Sequence, residues 1–317
     1  MVFNTSCSVN VLDYIGNKIE IDENIARLNS ISYRDMVSIT GGTYTQTDGT
    51  DNFNHTISDF KLGQYEVTYE LWYTVHDWAI FHEYFFSNPG IEGHDGYLVP
   101  PIGELPTIDK YEPVTTINWR DAIVWCNAYS EMLGYIPVYE NESGQIIKDS
   151  RDSNAAECDG AEPDWNNNGY RLPTEGEWQY AASDKGSTPY NYGSGGTGAY
   201  TGLNATDYPL FNPIAWYGLS ITEPIGNTTK TQNVRTKNAN QLGIRNMTGN
   251  VWEWCWDWFG NYPGDSTDYT GLSSGSDRVL RGGSWRNVAL YLQLGFRIYG
   301  NPSSENDVIG FRLALGQ

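Results

Sequence analysis

The sequence predicts a single α+β domain that is rich in loops and packed on aromatic side chains. Composition is the first observation: 34 glycines, 12 tryptophans and 23 tyrosines accompany only 18% charged residues, which suits irregular backbone over an aromatic core and not a helix bundle. Short capped helices alternating with short strands are the second. The third is that 317 residues pass without a repeat or a linker, which reads as one domain at 34–317 behind an extension at 1–33.

Taken in order, Ile19–Leu28 has the pattern of a short helix within the extension. Met36-Val37-Ser38-Ile39 reads as a strand running into the Gly41-Gly42 turn, and Lys61–Thr68 leads to a second start signal. Thr68 is placed to cap a helix through about Ala79, because a threonine hydroxyl accepts from the free N–H groups of a first turn. Pro113–Ile117 is strand-like. Asn118 then caps an amphipathic helix, Trp119–Leu133, that Gly134 ends. Residues 140–168 are polar and rich in Gly and Asn, and read as an insertion loop. In Gly169–Ala182, Pro173 and Thr174 open a short helix with Glu175 and Glu177 in its favourable first turn, and Arg171 and the glutamates are expected to hold turns against Trp178. The stretch 183–237 is long and irregular. Gly249-Asn250-Val251-Trp252-Glu253-Trp254 follows it.

A formal charge of −20 and a pI near 4.4 argue against a nucleic-acid partner, since such a surface repels phosphate. No apolar run reaches transmembrane length or forms a signal h-region. Cys126, Cys158 and Cys255 are scattered without a CxxC and read as buried free thiols. Cys7 reads first as an ordinary thiol and second as the acceptor of a lipid anchor.

The C-terminal stretch 278–315 fits neither pattern of regular structure. It opens with Gly282-Gly283-Ser284-Trp285 and closes with Gly310-Phe311-Arg312. Between them Leu290, Tyr291, Phe296, Ile298 and Tyr299 mix with Gly300, Asn301 and Pro302, where a core strand would alternate and a solvated loop would be polar. With GYRLPTEGEW, GNVWEW and KLGQYEVT, this stretch resembles the formylglycine-generating enzyme (sulfatase-modifying factor) family, a variant of the C-type lectin fold. It also resembles the variable proteins of diversity-generating retroelements. That match runs through Gly282, Gly283, Ser284, Trp285, Ala289, Gly295, Arg297, Pro302, Ile309, Gly310, Phe311, Arg312, Leu313 and Ala314.

The two resemblances imply different chemistry. The family's enzymes carry two copper-binding cysteines after the Gly-Gly-Ser-aromatic motif, and here Asn287 and Leu292 stand in those places. Without soft sulfur ligands the resemblance implies no copper and no oxidation. His55, His76, His82 and His94 lack the His-x3-His-x-Glu spacing of the sulfoxide synthases that share the fold, and Phe86 stands where a zincin started by His82-Glu83 needs its second histidine. Asp164–Glu175 has EF-hand spacing, but no helix precedes it. By resemblance, Asn250 and Glu253 are calcium candidates, against a metal-free hydrogen-bonding role for both.

The variable-protein resemblance implies a diversified binding surface. Adenine-directed mutagenesis of Asn codons cannot yield Trp, Met, Lys, Gln or Glu. Between Arg286 and Val308 only Gln293 and Glu305 are of those types, and both fall outside the diversified pattern. The candidate ligand-contacting positions are Arg286, Asn287, Val288, Leu290, Tyr291, Phe296, Ile298, Tyr299, Gly300, Asn301, Ser304, Asn306, Asp307 and Val308. Tyr291, Phe296 and Tyr299 are expected to form an exposed aromatic patch, since rigid rings add contact area at low entropic cost. Turns are expected at Gly295, Gly300 and Pro302, with Trp285, Ala289, Arg297, Ile309 and Phe311 held inward. The expected function is a non-enzymatic, cell-surface receptor or adhesin for a protein or glycan. The alternatives are an oxidase-family enzyme using another site, and a glycan-binding or structural surface protein without diversification.

Overall fold

In a computed structural model the structure describes residues 11–95, 102–186, 212–218 and 226–316, with side chains from 18 onward. The first helix, α1 (Val11–Leu28), begins earlier than its periodicity predicts. It is docked and does not trail: Leu28 and Ile31 are buried in the main core, Asn24 donates to the Met132 carbonyl at 3.3 Å, and Glu20 meets His82 at 2.6 Å. Strands β1 (Met36–Ile39), β2 (Gly42–Thr47), β3 (Asn52–Ile57) and β4 (Phe60–Gly63) follow. Strict in–out alternation along β3 puts Phe53, His55 and Ile57 inside, as a period of two requires.

Helix α2 (Tyr69–Ile80) starts where the Thr68 hydroxyl accepts from the Leu71 N–H at 3.3 Å. After the short pair β5 (Ile91–Glu92) and β6 (Val114–Thr115) comes α3 (Trp119–Met132). A reciprocal box holds its N-terminus: Asp121 N–H donates to Asn118 Oδ1 at 2.8 Å, and Asn118 N–H donates back to Asp121 at 3.1 Å. The two helices pack through Trp72 and Trp125, whose rings stack at 5.6 Å. Residues 140–168, expected as an insertion loop, are partly regular. They contain the end of β7 (Tyr139–Glu140), α4 (Ala155–Asp159) and β8 (Glu162–Pro163), and Arg120 grips Asp159 through two 2.8 Å bonds. Helix α5 (Glu175–Ala182) carries a second capping box, between Thr174 and Glu177.

The core is divided by β9 (Trp252–Trp258), a strand buried at every position. Its alternation sorts side chains by chemistry: Trp252, Trp254 and Trp256 face the core built on α2 and α3, while Cys255 faces a second core with Trp178 and Met247. After β10 (Ser266–Thr267), the strands β11 (Arg278–Arg281), β12 (Arg297–Gly300) and β13 (Ile309–Gly310) complete a sheet of order β12-β11-β9-β13, with β12 at its edge. Strand β14 (Ala314–Gly316) returns to pair antiparallel with β4, so the chain's last residues close on its first sheet.

Candidate functional site

The candidate surface hangs on a rigid frame. Leaving β11, the chain turns on Gly282 and Gly283, at φ +95° and +79°. A Cβ on Gly283 would sit 2.2 Å from Leu292 Cδ2, so glycine is required there for space as well as for backbone angle. The Trp285 N–H donates to the Asn250 carbonyl at 2.7 Å, and its indole Nε1 donates to the Asp307 carbonyl at 3.2 Å. Arg281, fully buried, donates to the carbonyls of Phe296 (2.6 Å) and Leu294 (2.8 Å) and shapes the approach to β12. Arg297 donates to the Gly260 carbonyl at 2.8 Å and to Glu175 at 2.6 Å, which ties β12 to α5. Arg312 holds Glu253 through bonds of 2.5 and 2.7 Å, with both side chains fully buried. Each guanidinium thus meets a carboxylate or backbone carbonyls through its terminal nitrogens, as its burial demands, while the Nε atoms of Arg281 and Arg297 make no hydrogen bond.

On this frame none of the candidate positions is fully buried. Arg286, Leu290, Tyr291, Tyr299, Asn301, Ser304 and Asn306 are exposed, and Asn287, Val288, Phe296, Ile298, Gly300, Asp307 and Val308 are half-buried. The interleaved Trp285, Ala289, Leu292, Ile309 and Phe311 are buried. A single 3-10 turn, Ala289–Leu292, separates the two sets: it drops Ala289 and Leu292 inside and leaves Leu290 and Tyr291 37–38% exposed.

The structure brings some candidates together. Asp307 bonds Arg286 at 2.6 Å and His94 at 3.1 Å. Trp285 lies near both partners of Asp307, stacked on the His94 ring at 5.2 Å and 4.7 Å from the Arg286 guanidinium. Val308 accepts from the Trp252 N–H at 2.8 Å, Trp252 touches Phe296, and Phe296 meets Tyr291 edge-on at 5.0 Å. Arg286, Asp307, Val308, Phe296 and Tyr291 thus form one continuous group.

Tyr299 does not join it, which corrects the expected patch of three aromatics. The segment also contains a strand, although its pattern shows none. Along β12, Phe296 and Ile298 lean on the core that holds Trp252, and the period of two sends Tyr299 to the other side, against Phe259 at 4.8 Å. The turns fall at Gln293–Phe296 and Asn301–Ser304. Gly300 is not a turn: it ends β12, where a Cβ would come 2.8 Å from the Trp254 ring. His94 and Phe259, which border the candidates, are invisible to sequence reasoning, because neither lies near the segment in the chain and neither belongs to a motif.

The metal candidates do not fit an ion. Glu253 spends its oxygens on Arg312 and on the Trp178 indole at 2.8 Å, and Asn250 Oδ1 accepts from the Gln232 N–H at 3.0 Å. These contacts fit the hydrogen-bonding role of both residues. At the two copper-cysteine places, Asn287 accepts from the Ser284 N–H (3.1 Å) and hydroxyl (2.6 Å), and Leu292 fills the core. Cys126, Cys158 and Cys255 are free and buried, and burial pushes each thiol up. Cys7 lies outside the described residues. Behind β12, burial and the nearby Glu175 push Asp257 up to about 8 while it accepts from the Glu175 N–H at 2.6 Å.

Comparison with known proteins accords with this geometry. The model of the sulfatase-modifying factor enzyme 1-like domain matches residues 22–316. The chain is 30% identical over 265 residues to the chaperone protein LppX of Paenibacillus barcinonensis, covering 79% of this chain and 78% of the relative. It is 35% identical over 157 residues to the formylglycine-generating enzyme of Streptomyces coelicolor, a match covering 46% of each. Among solved structures, Treponema denticola variable protein 1 superposes with a TM-score of 0.69 at 32% identity, covering 89% of this chain and 95% of that one. CarF, at 24% identity and a TM-score of 0.67 over 90% of this chain and 98% of its own, shares the fold. The chain belongs to the family of the sulfatase-modifying factor enzyme 1-like domain, with its α+β, C-type lectin-like fold.

Proposed function

We propose that this protein is a non-enzymatic ligand-binding protein displayed at the cell surface, and that a retroelement diversifies its segment 278–315. One observation carries the reading. Every one of the fourteen candidate positions is exposed or half-buried, while two residues of the variable-protein pattern that lie between them, Ala289 and Pro302, and two that flank them, Trp285 and Ile309, are buried. A surface meant to vary needs this division, because exposed substitutions cost little and core substitutions cost much. The likeness to Treponema denticola variable protein 1 supports it, and the non-thiol side chains of Asn287 and Leu292 support a binding role over copper oxidation.

The ligand is a protein or glycan on another surface, engaged by the apolar and aromatic group around Leu290, Tyr291 and Phe296. Among the described residues no helix is long and apolar enough to cross a membrane. Sequencing the DNA beside the gene tests the reading: a near-copy of the segment should differ only at adenines, and the differences should fall in the codons of the fourteen positions. A flanking region without such a copy, or a copy that differs at Trp285, Ala289 or Phe311, rejects diversification of this surface.

A further inference from the structure

A cavity of about 610 Å³ opens between the residues that follow α1 and the body of the fold, lined by Asn29, Tyr33, Arg34, Tyr65, Tyr170 and Arg235. Its charge is unusual for this chain. With 39 acidic side chains against 19 basic ones, most arginines lie within ion-pair distance of a carboxylate. Arg245 and Arg278 donate instead to backbone carbonyls. Arg34 and Arg235 form no such ion pair among the described residues. Arg34 donates to Asn29 Oδ1 at 2.6 Å, and Arg235 donates to the Tyr33 hydroxyl at 3.2 Å. The one carboxylate in the lining, Asp35, is exposed.

Tyr33 supplies a second, independent observation. It sits at φ +62°, a left-handed conformation that a bulky L-residue adopts only where its surroundings impose it. Tyr65 and Tyr111 hold its ring edge-on at 5.2 and 5.0 Å, and the Arg235 guanidinium lies 5.9 Å from its centre. Backbone strain is therefore spent on presenting a phenol beside the Arg235 guanidinium, in a cavity whose other guanidinium, Arg34, likewise has no carboxylate partner.

We propose that this cavity is a second binding site, separate from the candidate variable surface, for a sugar that carries an oxyanion: a uronic or sialic acid, or a sulfate ester. A guanidinium fork matches the paired oxygens of a carboxylate or sulfate. The tyrosines offer apolar ring surface with a hydroxyl at the edge, which suits a pyranose. The cavity has room for a monosaccharide or disaccharide.

Calorimetric titration of the whole chain with glucuronate, N-acetylneuraminate, glucose 6-sulfate, N-acetylglucosamine and inorganic sulfate tests the proposal. At least one acidic sugar should bind, N-acetylglucosamine should not, and inorganic sulfate should bind more weakly than the sugar. Arg235→Gln, an exposed change, should weaken the acidic sugar by about tenfold or more, the loss expected for one charge-assisted bond. Arg34→Gln should do the same, while Tyr299→Ala on the candidate variable surface leaves this binding unchanged. Failure of every acidic sugar, equal affinity for inorganic sulfate, or binding indifferent to Arg235→Gln overturns the proposal, and none of these outcomes bears on diversification of 278–315.

Discussion

Strand β9 and the segment after β11, whose strand β12 lies one strand away in the same sheet, follow opposite rules. Strand β9 buries all of its side chains, including the acidic Glu253 and Asp257, and satisfies them through Arg312, Trp178 and the backbone of Glu175. The segment from Arg286 to Val308 leaves its candidate positions at the surface, and its backbone is shaped by others: Arg281 from below, Glu175 through Arg297, and the Asn250 carbonyl at Trp285. The lesson is a division of labour. Buried polar contacts hold in place a strip whose exposed side chains are expected to contribute little to stability.

Substitutions at β9 and its partners should show the largest effects. Arg312→Ala strands a buried Glu253 carboxylate and should cost about 3–5 kcal/mol in denaturant melts. Trp252→Ala leaves a cavity in the core built on α2 and α3 and should also cost about 3–5 kcal/mol. A loss near 1 kcal/mol at either site would erase the contrast between the two regions.

Next in size comes a dependence on pH. Burial pushes Asp257 and Glu66 up to about 8, with Glu253 adding to the shift at Glu66 and Glu175 to that at Asp257, and burial pushes Glu112 up to about 7. Such groups keep their protons in the folded state after the unfolded chain has lost them, so the fold binds more protons and stability falls as pH rises toward the folded values. His55 and His76, pushed down to about 4 by burial, act in the opposite sense, but only below the ordinary histidine range. Between about pH 6.5 and 8 stability should therefore decline, by on the order of 1 kcal/mol per pH unit for each fully buried acid. Asp257→Asn should flatten the slope in thermal melts, and a slope unchanged by that substitution would remove Asp257 from the account.

The smallest effect is expected at the surface. Tyr299→Ala should stay within about 1 kcal/mol of the parent. The protein should also fail to take up stoichiometric Cu(I), and tight uptake abolished by mutating Cys255 would contradict the reading of Asn287 and Leu292.

Local signals in the sequence predicted local structure well. Thr68, Asn118 and Thr174 mark helix starts because a cap is made by residues three apart in the chain. The inward set Trp285, Ala289, Ile309 and Phe311 was legible from the resemblance. Strand β12 was not, because it is four residues long, lies at an edge, and sets three half-buried residues beside one exposed tyrosine, which leaves no alternating apolar pattern to read. The pairing of Asp307 with His94 and of Tyr299 with Phe259 joins residues far apart in sequence, as does the docking of α1 against α2 and α3. Glu253 misled for a related reason: its oxygens look available to an ion until Arg312 arrives from near the end of the chain.

The central claim is that the frame, not the strip, carries the fold, and paired randomisation measures this most directly. One display library varies Leu290, Tyr291, Ile298, Tyr299 and Asp307, and a second varies Trp285, Ala289, Leu292, Ile309 and Phe311, with both sorted for protease resistance. The account predicts that most members of the first library stay resistant and nearly all of the second are lost. Equal survival in the two libraries, or greater loss in the first, would contradict it.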